Sequence, residues 1–271
     1  MKNPDTLMTP SLFANESAPR LQVELACTDR QIEETLALRY RVFIQELGAK
    51  VDCATPQLES DAFDAFCHHL LVRDLSTGQV VASTRILTDT QAQLAGGFYS
   101  AHEFDLAFLH EVSGRVMEIG RTCVDAAYRN GATISTLWSG LAQFMENNRF
   151  AYLMGCASIP MTDGGVQANL IMNELRDHYL TEPAYRVQSF RALPVRSDGA
   201  STTEIKMPPL LKAYLRLGAK VGGEAFWDQD FNTADVFIWL DRAHLQARYL
   251  RHFVQRKPPA ARFDGMPPVA A

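Results

Sequence analysis

The feature that most narrows the folds open to this chain is a pair of strand-like segments joined by one amphipathic helix. Residues 116–124, VMEIGRTCV, read as a strand, and residues 151–159, AYLMGCASI, form a nearly unbroken apolar run. Between them Ile134, Leu137, Leu141 and Phe144 recur at helical spacing over residues 133–147. A strand that is apolar on both faces must be covered on both, so 151–159 belongs inside a sheet. Upstream, HHLLVRDLSTGQVVASTRIL (68–87) reads as a β-hairpin about Ser76-Thr77-Gly78. A hairpin set among βα units predicts an α/β protein with a mixed central sheet flanked by helices.

The remaining segments fit that plan. Leu21, Val23 and Leu25 alternate with polar neighbours, predicting a first strand. Thr28 and Gln31 have capping-box spacing and open a helix carrying Ile32, Leu36, Tyr40 and Phe43 along one side, ending near Gly48. Residues 166–180 are expected to be helical, Tyr185–Phe190 a strand, and Ala234–Leu240 the last strand. Pro208-Pro209 open a short basic helix with Leu211, Lys212, Leu215 and Arg216. Residues 1–19 read as a flexible N-terminal segment and 258–271, rich in Pro and Ala, as a flexible tail. The expected organisation is one domain over residues 20–257.

Composition excludes several classes. Hydrophobic residues at 47% and charged residues at 21% are those of a soluble globular protein. A net charge of −5 argues against a nucleic-acid partner. Within it, residues 241–262 hold six Arg and Lys against Asp241 alone, which suits an anionic partner. The five cysteines, an odd number irregularly spaced, do not form a disulfide framework. Cys67-His68-His69 has no second cluster at zinc-site spacing and reads as strand sequence, so no metal is expected. The N-terminus lacks the apolar stretch of a signal peptide, and no run reaches the ~18 apolar residues of a membrane span. The expected location is cytoplasmic, at most peripheral on the inner membrane.

Two clusters could carry chemistry. Glu118-Ile119-Gly120-Arg121 lies in a strand leading through Tyr128-Arg129-Asn130-Gly131 to a helix start, where N–H groups and the positive dipole end suit an anion. The other comprises Arg39 and Arg41, then Asp61 and Asp64, then Arg85 in the second hairpin strand. Arg85 stands in an otherwise apolar strand, so a carboxylate or an open cleft should be beside it.

The runs ALRYRVF, DAFDAFCHHLLV, AGGFYSAHEFDL, MEIGRTCV, LMGCASI and GGEAFWDQDFNTADVF together resemble the L-ornithine Nα-acyltransferases of ornithine-lipid synthesis. That resemblance covers roughly residues 30–255. It implies a GNAT-like acyl-CoA N-acyltransferase fold, related to the acyl-homoserine-lactone synthases. By motif position it implies an active site formed by Arg39 or Arg41, Phe43, Asp61, Asp64, Arg85, Glu118 and Arg121, with Phe104 as an acyl-pocket wall. The implied reaction moves a 3-hydroxyacyl group from acyl carrier protein to the α-amine of L-ornithine. No permanently bound cofactor is implied, the acyl-phosphopantetheine being a co-substrate.

Under that reading Glu118 is the candidate base, Arg85 the partner of the ornithine carboxylate, and Asp61 or Asp64 that of its side-chain ammonium. Glu118 and Arg121 are three residues apart, so a regular strand would point them to opposite faces. Both can face the cleft only if the strand bulges, and the bulge is expected near Gly120, which a glycine suits. Arg129, Asn130 and Gly131 are the expected phosphopantetheine contacts. They keep the Arg and one Gly of the usual coenzyme A loop without its spacing, which favours a carrier protein with a single phosphodiester. The Lys212/Arg216/Lys220 segment is a docking candidate for an acidic carrier, and 209–217 with 241–257 for a membrane surface. The rival readings are transfer to another amino acid such as glycine or lysine, lactone synthesis from S-adenosylmethionine, and a non-catalytic, haemolysin-like membrane binder.

Overall fold

A computed structural model describes residues 20–194 and 204–245. Strand β1 (Leu21–Leu25) leads into helix α1 (Asp29–Arg39), which continues as a π-helical stretch, Tyr40–Glu46. A 3-10 turn, Ala62–Phe66, precedes the hairpin strands β2 (His68–Asp74) and β3 (Val80–Thr88). Next come α2 (Asp89–Ala95), a 3-10 turn at Tyr99–His102 and the two-residue β4 (Phe104–Asp105). The central unit is β5 (Arg115–Val124), α3 (Gly131–Asn147) and β6 (Phe150–Pro160). Helix α4 (Val166–His178), β7 (Gln188–Ser189), α5 (Pro209–Leu217), β8 (Lys220–Val221), β9 (Phe226–Asp228) and β10 (Thr233–Asp241) follow.

Eight strands form one mixed sheet in the order β1-β2-β3-β5-β6-β10-β8, with β9 also on β10. Within it β5 and β6 run parallel, as a strand–helix–strand crossover requires, and the other named pairs are antiparallel. All nine residues of β3 are buried, as expected of a central strand covered on both faces. One core cluster joins α3 and α4 to the sheet through Leu137, Leu141, Phe144, Ile171 and Leu175. A second, aromatic cluster holds Phe104, Phe226, Phe237 and Trp239.

The two parallel strands do not stay together. They pair from Arg115↔Phe150 to Ile119↔Gly155 and no further, although β5 runs on to Val124 and β6 to Pro160. Past that point β5 stays with β3 as far as Ala82↔Val124, and β6 stays with β10 as far as Thr233↔Pro160. The sheet therefore splits between its central strands and opens a wedge. Gly155 marks the parting: its φ is +158°, and an added Cβ would lie 2.2 Å from the Ile119 carbonyl oxygen.

The expected bulge near Gly120 is present. Ser83 pairs with Cys123 and Arg85 with Gly120, so β5 spends one residue more than β3 between the two pairs. The residue in left-handed conformation is Arg121, at φ +50°, rather than Gly120. A non-glycine residue there is strained and must be held by its surroundings.

Other expectations shift locally. Thr28 caps α1 by accepting the Gln31 N–H, but the Gln31 side chain takes the Cys27 N–H instead of closing the box on Thr28. The buried face of α1 is Thr35, Leu36, Leu38 and Arg39, continued by Val42; of the expected stripe Leu36 is buried, while Ile32, Tyr40 and Phe43 are half-buried. The Tyr185–Phe190 strand reduces to Gln188–Ser189, paired with β4 in a separate two-stranded sheet. In α5 the apolar face, Leu211, Leu215 and Leu217, is buried in the core while Lys212 and Arg216 face out, so that face is not free to enter a bilayer. Residues 1–19 and 246–271, including the expected flexible ends and most of the basic segment, lie outside the described residues. No helix among the described residues is long and apolar enough to cross a membrane.

Gly155→Ala should lower stability by about 1–3 kcal/mol, the usual cost of overpacking, because backbone must move to admit the methyl. A urea midpoint equal to that of the parent would show that the strands do not meet as described.

Candidate active site

Helix α1 delivers Arg39 inward on the face it shares with Thr35, Leu38 and Val42; past it the helix widens into a π-helix, the Leu47 N–H bonding back to the Val42 carbonyl five residues earlier. Arg39 is 1% exposed, while the Arg41 side chain is 48% exposed and reaches Asp125 at 3.9 Å. The choice that spacing left open is thus made by the helix: Arg39 faces the site and Arg41 faces solvent.

Arg39 begins a closed charge network. Its Nε donates to Glu59 at 2.5 Å and its two terminal nitrogens to Asp64 at 2.5 and 3.1 Å. Arg85 donates to Asp61 at 2.6 Å and to Asp64 at 3.2 Å. Arg121 donates to Glu59 at 3.2 Å and to Asp61 at 3.1 Å. Each of the three carboxylates is shared by two of the three guanidiniums, so the six charges balance. Asp61 and Asp64 also close a capping box over the Ala62–Phe66 turn, which fixes their direction. Burial works to raise the Asp64 carboxyl, but Arg39 and then Arg85 hold it well below the usual carboxylate range. Both aspartates are committed to arginine, which leaves them poorly placed to receive a substrate ammonium.

Glu118 lies across the strand and is 4% exposed. One carboxylate oxygen accepts the Tyr99 N–H at 2.7 Å; the other accepts the Ser100 N–H at 2.8 Å and its hydroxyl at 2.5 Å. Burial raises its pKa above the ordinary value, opposed by these Ser100 and Tyr99 hydrogen bonds. The bulge achieves what the spacing required: Glu118 and Arg121 both line an inner cavity of about 210 Å³, together with Phe43, Arg85, Asp228 and Asp235. The Arg121 guanidinium lies over Phe231 at 4.5 Å and Tyr99 at 5.1 Å.

A larger, mostly apolar cavity of about 740 Å³ adjoins it, the two sharing Phe43, Leu47, Thr122 and Leu210. Its far wall is the start of α3, with Arg129, Asn130 and Gly131. Asn130 caps the helix, its side chain accepting the Ala132 and Thr133 N–H groups. Arg129 donates to Glu46 through both terminal nitrogens, at 2.5 and 2.6 Å. The cavities thus form one path from a helix start, between the parting strands, to Glu118 and Arg121.

Phe104 departs from the expected role. It is fully buried against Phe237 and Phe226, with centroids 5.7 and 6.2 Å away, and lines neither cavity; it is core. Glu59, Tyr99, Ser100, Asp228 and Asp235 were missed. A buried acid within the apolar run ADVFIWL is the same signal that singled out Arg85, and would have found Asp235.

Arg39→Ala strands the buried Glu59 and Asp64 and should cost about 3–5 kcal/mol. Arg41→Ala should stay within about 0.5 kcal/mol of the parent, as an exposed site does. Chemical denaturation of the two variants checks this; equal effects would contradict the inward assignment.

A family model described as an acetyltransferase (GNAT) domain matches residues 38–139. Among solved structures, an N-acyl amino acid synthase from uncultured soil microbes is similar in fold, with TM-score 0.50 and 12% identity over 83% of this chain and 92% of that one. A CoA-dependent acyl-homoserine lactone synthase has the same TM-score, at 13% identity over 90% of this chain and 92% of its own. Among curated proteins, the L-ornithine Nα-acyltransferase of Brucella abortus is 34% identical over 86% of this chain and 88% of its own. That of Agrobacterium fabrum is 34% identical over 86% and 85%. Identity of a third, sustained along nearly the whole of both chains, makes this chain a member of the L-ornithine Nα-acyltransferase family.

Proposed function

We propose that this chain transfers a 3-hydroxyacyl group from acyl carrier protein to the α-amine of L-ornithine, giving lyso-ornithine lipid. The observation that carries the reading is the path between the parted strands. An acylated phosphopantetheine arm is long and narrow and bears amides, which suit backbone edges that have lost their partner strand. Its thioester would then reach the inner cavity while its phosphate rests at the α3 start. Membership of the family supports ornithine as acceptor. The capped helix start supports a single phosphodiester, since Asn130 already occupies two of the N–H groups that a pyrophosphate would need. Exposed Lys212, Arg216 and Lys220 support an acidic carrier as the donor's vehicle.

In the reaction the amine nitrogen attacks the thioester carbonyl, the C–N bond forms, the C–S bond breaks and the thiol leaves with a proton. The α-amine of a free amino acid is mostly protonated at neutral pH, a peptide α-amine having pKa ~8 and a free amino acid a higher one, so a base must take its proton first. Glu118 is that base: it faces the inner cavity, and burial has raised its proton affinity. Its three hydrogen bonds fix its position but also oppose protonation, so a water between it and the amine suits the geometry. Backbone N–H groups where β5 and β6 part hold the oxyanion.

Purified protein given 3-hydroxyacyl carrier protein and a panel of amino acids should consume thioester and form acyl-ornithine. Glu118→Gln should lower kcat about 10²–10⁴-fold while the thermal transition persists. A lactone formed from S-adenosylmethionine, or vesicle binding with no thioester consumed, would overturn the function. Near-normal turnover by Glu118→Gln would overturn the base.

A further inference from the structure

One buried acidic cluster is left out of this mechanism. Glu103 closes the Tyr99–His102 turn, Asp228 ends β9 and Asp235 lies within β10; a carboxylate oxygen from each falls within 4.8 Å of the others. Their exposures are 3%, 9% and 5%. Asp228 accepts the Asp230 and Phe231 N–H groups and Asp235 the Thr233 hydroxyl, but Glu103 Oε2 is buried with no hydrogen-bond partner. Among the described residues no Lys, Arg or His lies within ion-pair distance of any of the three. Arg121, whose charge reaches Asp235, is held by Glu59 and Asp61; the groups facing the cluster are otherwise the Cys156 thiol and Glu118 beside Glu103 and Ser158 beside Asp235. A buried carboxylate oxygen with no donor is costly, and three acids gathered there ask for a cation.

We propose that Glu103, Asp228 and Asp235 seat the side-chain ammonium of the amino-acid acceptor and so select a diamino acid. The inference rests on the acyltransferase reading above and names the part of that site which recognises the side chain. Asp228 and Asp235 form the wall of the inner cavity, which Arg85, Arg121 and Glu118 also line. An ammonium brings three donors for three acceptors, and no acceptor of its own to waste. Asp61 and Asp64, the acids first expected in this role, are neutralised by arginines, whereas among the described residues no cation pairs directly with this cluster and Arg121 acts on Asp235 only from a distance. A short methylene chain would join an α-amine near Glu118 to an ammonium at the cluster.

The free enzyme copes with the missing cation by keeping protons. Burial, and then the negative charge of Asp235, pushes the Glu103 carboxyl well above the usual carboxylate range, and burial raises Asp235 against the pull of its Ser158 hydrogen bond. An incoming ammonium would displace a proton held by the cluster.

The test compares ornithine with 2-aminopentanoate, which has the same carbon skeleton without the ammonium, using one acyl donor and the full chain. Glu103→Gln and Asp235→Asn should each lower kcat/KM for ornithine about 30-fold or more, mainly through KM. Turnover of 2-aminopentanoate, slow in the parent, should fall far less than that of ornithine, so the preference collapses. Calorimetry of the parent in buffers of different ionisation enthalpy should show more proton release with ornithine than with 2-aminopentanoate, a readout that needs no variant to fold. A parent that acylates ornithine while both variants keep its preference, or that releases no more protons with it than with 2-aminopentanoate, overturns this inference and leaves the function standing. A parent that acylates no ornithine overturns the function itself. Saturable binding of Mg²⁺, Ca²⁺ or Mn²⁺ that Asp235→Asn abolishes would reassign the cluster to a metal and overturn the inference.

Discussion

A guanidinium taken out of water needs carboxylates around it, and Arg39, Arg85 and Arg121 meet that need by sharing Glu59, Asp61 and Asp64. The six groups come from α1, the loop after it, the Ala62–Phe66 turn, β3 and β5, so one network ties every element on that side of the site. Such a network adds little net stability over well-packed apolar residues, because desolvating its charges offsets their attraction. What it supplies is geometry. Arg121 sits in a left-handed conformation that a side chain rarely adopts, and Glu59 and Asp61 hold it there. That residue is the bulge which turns Glu118 and Arg121 into the same cavity.

The opening of the sheet depends on the same arrangement. With β5 bulged toward β3 and β6 kept by β10, nothing draws the two central strands together past Gly155. The wedge widens away from the network, toward Asn130 and the start of α3. Glu118, just inside the last paired residues, marks where a chain entering the wedge must stop. The arginine side of the inner cavity is already neutral, while the facing side, Asp228 and Asp235 with Glu103 behind, is lined by acids that no cation among the described residues pairs with directly. A cavity so polarised suits an acceptor carrying a second amine better than one with an apolar side chain.

Much of this was legible in the residues. The hairpin, the strand–helix–strand unit and the last strand follow from periodicity and apolar runs, and the structure keeps their bounds to within a few residues. The need for a bulge followed from a period of two applied to Glu118 and Arg121. Which residue turns left-handed did not, because Gly120 carries the local preference while the carboxylates that hold Arg121 come from residues some sixty positions away. The choice between Arg39 and Arg41 was also missed, since the face that carries Arg39 inward includes the polar Thr35, which an apolar stripe does not pick out. Phe104 shows the opposite case: an aromatic beside a loop reads the same whether it lines a pocket or fills a core. The acids near the last strand were passed over because their partners are one another, and no nearby cation draws attention to them.

Backbone hydrogen exchange reads the central claim most directly. With a non-hydrolysable thioether analogue of the acyl donor bound, amides at 120–122 and 156–158, on the two strands where they part, should slow their exchange, and those at the start of α3 should follow. An analogue that binds and protects other segments while these amides exchange as before would contradict the claim that the donor enters between β5 and β6.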